Sequence, residues 1–196
     1  MSVRSGRCLS PFSLSPLFSP RSPHSPRSQQ APRSSLHAFL IAALVCGLLD
    51  SASAETLRGE VVGLADGDTL TVLDNDHQQH RVRLVGIDAP EKRQAFGERS
   101  RQHLSELVFR QEVLVDWKKR DRYGRILGVV RVRSVDVGQA QLRAGLAWHY
   151  KAYEREQAAD QRTLYSAEEV DARRAKRGLW SEATPTPPWE FRRIKK

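Results

Sequence analysis

Arg81-Val82-Arg83-Leu84-Val85-Gly86-Ile87-Asp88-Ala89-Pro90-Glu91 is the stretch on which the reading of this chain turns. Basic and apolar residues alternate at its start, the period-2 signature of a strand with one buried face, before the run becomes mostly apolar. The pattern predicts a strand over Arg81–Ile87, with Arg81 and Arg83 on one side of it. Pro90 marks the end and biases Ala89 away from helix. Two carboxylates, Asp88 and Glu91, follow three residues apart. Pro90 fixes the backbone between them, which lets both converge on one small site.

Working outward, Leu57–Leu64 and Thr69–Leu73 read as strands flanking an Ala65-Asp66-Gly67-Asp68 turn, and Asp74-Asn75-Asp76-His77 is a polar hairpin tip. On the other side, Phe96, Leu104, Leu107 and Val108 share a helical face. Glu112–Trp117 and Ile126–Val132 are two more strands, bracketing the basic turn Lys118–Arg125. Val137–Leu146 is a short helix closed by Gly145. Leu164–Lys176 is a charged amphipathic helix stopped by Gly178, after which Leu179 and Trp180 pack back onto the core. Five strands interrupted by a helix define a β-rich α+β class, a five-stranded Greek-key barrel of the OB type with about three helices. The tail Arg192-Arg193-Ile194-Lys195-Lys196 reads as frayed.

Ahead of the barrel, residues 1–35 are dominated by Ser, Pro and Arg, a composition expected to stay disordered. The twelve-residue apolar run Ala38–Leu49 is shorter than the roughly 20 residues of a membrane span. It has the length of a signal-peptide core, and Ala52-Ser53-Ala54 supplies a small-x-small cleavage site after it. The chain therefore divides into a leader with signal peptide, 1–54, and one domain, 55–196, secreted or periplasmic after cleavage near Ala54. An uncleaved anchor is the alternative. Both cysteines, Cys8 and Cys46, lie in the leader, so disulfides have no part in the domain. Five of the 32 Lys+Arg and one of the 23 Asp+Glu also lie there, which leaves the domain at net +5. A basic surface favours encounter with polyanions.

The chemistry-bearing segments are Asp66-Gly67-Asp68-Thr69, then Arg83 to Glu91, then Asp121-Arg122-Tyr123-Gly124-Arg125. Taken singly, the first reads as a hairpin turn, and Arg81 with Arg83 reads equally as two solvated arginines. As an ordered set they closely resemble the thermonuclease (staphylococcal nuclease-like) family over about Leu57–Trp189. The resemblance implies that Asp68 and Asp88 are calcium ligands, that Ala89 contributes a backbone carbonyl, and that Glu91 is the base. It implies that Arg83 and Arg125 pair with phosphate oxygens, a task to which a planar, permanently charged fork is suited. Arg122 stands where the family has Lys, Tyr123 would touch phosphate, and Tyr153 would line a base pocket. At Ala89 the best-known member has Thr; a carbonyl ligand survives that change, whereas a hydroxyl contact does not. Lys151 falls at that member's first pocket tyrosine. Trp148-His149-Tyr150-Lys151 is either part of that pocket or a set of core aromatics beside a helix end.

The implied function is a calcium-dependent phosphodiesterase cleaving DNA, with RNA as a second substrate, and leaving 3′-phosphates. Nucleic acid is the expected partner, the expected state is monomeric, and no stable membrane association follows signal cleavage. The rival is a non-catalytic OB module that binds single strands or a protein. The sequence has no His-Glu-x-x-His motif, no cysteine pair in the domain and no Gly-rich phosphate loop, which sets aside zinc and nucleotide-triphosphate chemistry. His103, among charges on the first helix, reads as a surface residue.

Overall fold

A computed structural model describes residues 55–194. The readings of residues 1–54, as a disordered leader and a signal peptide, lie outside the described residues. Strand β1 (Glu55–Leu64) pairs antiparallel with β2 (Thr69–Asp74), and β2 with β3 (Gln79–Leu84). β1 also pairs antiparallel with β5 (Glu112–Arg120), and β5 with β6 (Ile126–Val132). A parallel ladder between β3 and β6, Val82 opposite Ile126 and Leu84 opposite Gly128, closes these five strands into a barrel. The alternation read from the sequence fills it. Val61, Leu70, Val72, Val82, Leu84, Val113, Val115, Ile126 and Val130 all point inward and are buried, each such side chain contributing about 1.5–3 kcal/mol by leaving water.

Helix α1 (Gly97–Val108) packs Leu104 and Val108 into the same core. Helix α2 (Val137–Arg143) adds Val137 and Leu142, and α3 (Ala159–Arg174) adds Tyr165. The Asp136 carboxylate caps α2 by accepting from the Gln139 N–H at 3.0 Å, the usual device for an orphaned helical donor. It also accepts from the Tyr165 hydroxyl at 2.7 Å. Burial and that carboxylate together raise the phenol's pKa. Gly145 and Gly178 interlock beyond the ends of α2 and α3. Both have positive φ, and a Cβ on either would lie 2.2 Å from a backbone oxygen of the facing turn.

Strand β5 runs three residues past the Trp117 end read from the sequence and α2 stops at Arg143 rather than Leu146, and three further differences bear on the site. The strand predicted over Arg81–Ile87 stops at Leu84; Gly86 turns at φ 77°, and Ile87–Asp88 forms β4, paired with β7 (Trp148–His149). Helix α3 begins at Ala159, ahead of the start at Leu164 read from the sequence, because its polar first turn carries no apolar stripe to mark it. Of the tail expected to fray, residues 192–194 instead end helix α4 (Pro188–Ile194), giving four α-helices among the described residues. Trp189 of α4 packs on Trp148 and Tyr150, at centroid distances of 5.5 and 5.4 Å.

Candidate active site

The break after Leu84 builds the site. In an uninterrupted strand, residues five apart would face opposite sides about 16 Å from each other. The turn at Gly86 folds Asp88 back, and the Arg83 guanidinium donates to its carboxylate at 2.8 Å. Gly86 is needed there: a Cβ would lie 2.2 Å from the Gln157 side chain, and its carbonyl accepts from the Tyr150 N–H at 2.9 Å.

The loop between β1 and β2 brings in the second carboxylate. Asp66 accepts from the Asp68 N–H at 3.0 Å, and the Ala65 N–H closes the loop on the Thr69 carbonyl at 2.9 Å. Asp68 is 3% exposed. Its Oδ1 accepts from the Thr69 hydroxyl and its Oδ2 from the Ala89 N–H, both at 2.9 Å, and Arg83 Nη2 stands 3.5 Å away. Burial pushes the Asp68 carboxyl up to about 6, against the opposing pull of Arg83. Burial works against the Arg83 charge too, yet Asp68 and Asp88 outweigh it and raise its pKa.

Gln141 of α2 pins this loop from behind. Fully buried, it donates to the Gly67 carbonyl at 2.7 Å and to the Ser100 carbonyl at 3.0 Å, and its Oε1 lies 2.5 Å from His103 Nδ1. A Cβ on Gly67 would fall 1.9 Å from the Ser100 hydroxyl. His103 is therefore a half-buried bracing group rather than the plain surface residue expected.

Glu91 sits in a turn fixed by Gln94, which accepts from the Glu91 N–H at 3.1 Å and donates its own N–H to the Glu91 carbonyl at 2.8 Å. Its carboxylate joins the cluster through Arg192 of α4. The Arg192 guanidinium spans Asp88, at 2.7 and 3.3 Å, and Glu91 Oε1, at 2.8 Å. Burial opposes the Arg192 charge, and the bonds to Asp88 and Glu91 more than offset it, raising its pKa.

Arg125 is held separately. Asp121 accepts from the Arg125 N–H at 3.0 Å and from its guanidinium at 2.8 Å, within a turn where Gly124 has φ 75°. Arg125 lies one residue before β6, whose Ile126 stands opposite Val82 and whose Leu127 stands opposite Arg83. Arg122 and Arg125 lie over the Tyr123 ring at 4.9 and 5.5 Å, with Tyr123 65% exposed. Tyr153 is 52% exposed beside Tyr150. Arg122, Tyr123 and Tyr153 thus stay on the surface, available to ligand. Trp148 and His149 are buried, which places them with the core aromatics.

The structure thus gathers Asp68, Asp88, Ala89, Glu91 and Arg83, and sets Arg125 in the turn that leads into the adjoining strand β6. Calcium prefers six to eight oxygen donors. No group of three or more His, Cys, Asp or Glu side chains with metal-binding geometry occurs among the described residues. The donor set nonetheless fits: two buried carboxylates stand together, and a guanidinium already sits as a stand-in cation across Asp88 and Glu91.

Fold and site together define an OB barrel with a buried, arginine-braced carboxylate cluster. A family model described as staphylococcal nuclease homologue matches residues 81–182. The chain is 42% identical over 174 residues to a protein named micrococcal nuclease from Shigella flexneri, covering 84% of this chain and 97% of that one. It is 48% identical over 161 residues to protein ParB of Escherichia coli, covering 78% and 88%. It is also 43% identical over 140 residues to an uncharacterized endonuclease of Escherichia coli, covering 71% and 87%. The chain belongs to the family of staphylococcal nuclease homologues.

Proposed function

We propose that the chain is a calcium-dependent phosphodiesterase that cleaves DNA, with RNA as a second substrate, and leaves 3′-phosphate ends. That it is a nuclease, a hydrolase acting on nucleic acid, follows from its family. One observation supports the finer reading: buried Asp68 and Asp88 share Arg83, with Glu91 drawn into the same cluster.

In this reading Asp68, Asp88 and the Ala89 carbonyl hold the ion. The chemistry supplied by a bound calcium is Lewis-acid polarisation of the scissile phosphate. Glu91 takes a proton from, or orients, the attacking water. Water adds to phosphorus as the bond to the 5′-oxygen breaks, and that oxygen leaves with a proton. Arg83 and Arg125 stabilise charge on the equatorial oxygens, where fixed donors matter most. Both arginines arrive pre-oriented by carboxylates, Arg83 by Asp88 and Arg125 by Asp121. Arg122 and Tyr123 hold the phosphate chain, and exposed Tyr153 offers a face for a base.

The same proposal has the protein act as a monomer outside the cytoplasm. The Ala38–Leu49 run with Ala52-Ser53-Ala54 supports export, and no described helix is long and apolar enough to cross a membrane. Protein recovered from the periplasm or medium should begin at Glu55 by mass spectrometry; an intact leader on a membrane fraction would contradict export.

The deciding assay incubates the full chain with single-stranded DNA in calcium and then in EDTA. Cleavage in calcium, yielding ends that a polymerase extends only after phosphatase treatment, is expected. Full activity in EDTA would refute the metal reading. Tight binding with no cleavage would favour the non-catalytic module.

A further inference from the structure

Arg192 lies 104 residues from Asp88 in sequence, yet its guanidinium is bound across Asp88 and Glu91. The Asp88 side chain is only 1% exposed. One of its oxygens already receives Arg83, so the edge that Arg192 covers is the edge left for any other cation. A guanidinium and a divalent ion cannot share that edge. They would compete for the same lone pairs and repel each other at close range in a poorly screened site.

The segment carrying Arg192 is short. Helix α4 is seven residues long and ends the described chain, and a helix this short is marginal without tertiary support. It follows the Pro-rich stretch Pro185-Thr186-Pro187, and its outer positions Glu190, Arg193 and Ile194 are exposed. Its apolar docking runs through buried Pro188 and through Trp189, which packs on the cluster of Trp148, Leu179 and Trp180. Trp189 stacks on Tyr150 and meets Trp148 edge-on, Gln94 donates to the Thr186 carbonyl at 2.5 Å, and Arg192 reaches the carboxylates. Without Arg192, the Asp68, Asp88 and Glu91 cluster faces Arg83 as its one bound guanidinium among the described residues.

We propose that Arg192 is a tethered competitor of the divalent cation: α4 closes the site by placing its guanidinium on Asp88 and Glu91, and cation binding requires its release. The inference rests on the calcium reading above. It adds a consequence: release of α4 also unstacks Trp189 from Tyr150, so the ion opens an aromatic face for substrate beside the site. A ligand shifts such an equilibrium by its differential affinity for the open and closed states.

Calcium binding to the full chain, measured by isothermal titration calorimetry without nucleic acid, tests this directly. R192Q removes the competing charge and should bind calcium about fivefold more tightly, the scale set by loss of a partly exposed ion pair. W189A leaves Arg192 in place and loosens α4, so it should tighten calcium in the same direction. In the wild type, calcium should speed hydrogen exchange of the α4 amides that follow Pro188. If R192Q and W189A bind calcium no more tightly than wild type, or α4 keeps its protection when calcium is bound, the competition is overturned while the calcium reading stands. If none of the three proteins binds calcium, both fall.

Discussion

Replacing Gln141 by leucine isolates how the rear of the site supports the front. The volumes are similar, so the change removes polarity with little cavity. In the wild type, the Gln141 amide donates to the Gly67 carbonyl at 2.7 Å, in a loop whose next residue is Asp68. Leucine leaves that buried acceptor without its donor, at a cost of about 1–3 kcal/mol. His103 is half-buried and turns to water, and the Ser100 carbonyl keeps its place in the α1 ladder, so neither adds much. The expected loss is therefore about 1–3 kcal/mol, which for a domain of this size lowers Tm by about 3–4 °C per kcal/mol. Because the loop carries Asp68, calcium affinity should fall as well, although Gln141 touches no carboxylate of the cluster. Urea unfolding followed by tryptophan fluorescence, with and without calcium, reads both effects. A Q141L protein within about 0.5 kcal/mol of wild type and unchanged in calcium affinity would refute the bracing role.

Two further outcomes follow from the same geometry. Burial raises the Asp68 carboxyl from 3.8 to about 6, so between those values the folded state holds a proton that the unfolded state has lost. Its stabilising contribution is full below pH 4 and disappears as pH rises through 6; in EDTA, wild type should lose stability relative to D68N over pH 4–7, and parallel urea midpoints would contradict this. G86A forces a side chain into φ 77° and against Gln157, so it should cost more than the roughly 1–2 kcal/mol of left-handed strain alone and weaken calcium binding by shifting Asp88; a stable G86A with unchanged affinity would show that the turn does not position the carboxylate.

Strand positions were readable because one-sided burial imposes a two-residue period, seen in β3 and β6. Asp68, Asp88, Glu91, Arg83 and Arg125 were singled out by the resemblance of their ordered segments to the thermonuclease family; taken singly, those segments read as hairpin turns and solvated arginines. Gln141 and Ser100 were not, since a polar residue on an amphipathic helix looks like its solvated face; nothing local says that it meets a buried carbonyl. Gly86 was the one local signal that the strand would break, lost within a run of apolar residues. Arg192 was hidden for a different reason. Its partners are remote in sequence, and four cations among five terminal residues look like a solvated tail.

The central claim is that Glu91 and the two arginines act on the transition state of phosphodiester hydrolysis. Single-turnover cleavage of a short single-stranded DNA in calcium tests it, with circular dichroism to confirm folding. Arg125→Ala should lower the rate by about 10³–10⁵, and Arg125→Lys should recover little, because an ammonium lacks the fork that Asp121 orients. Glu91→Gln should cut turnover while leaving DNA binding near wild type, a loss in kcat rather than a rise in KM. Folded Glu91→Gln and Arg125→Ala proteins that cleave at near wild-type rates would contradict the account.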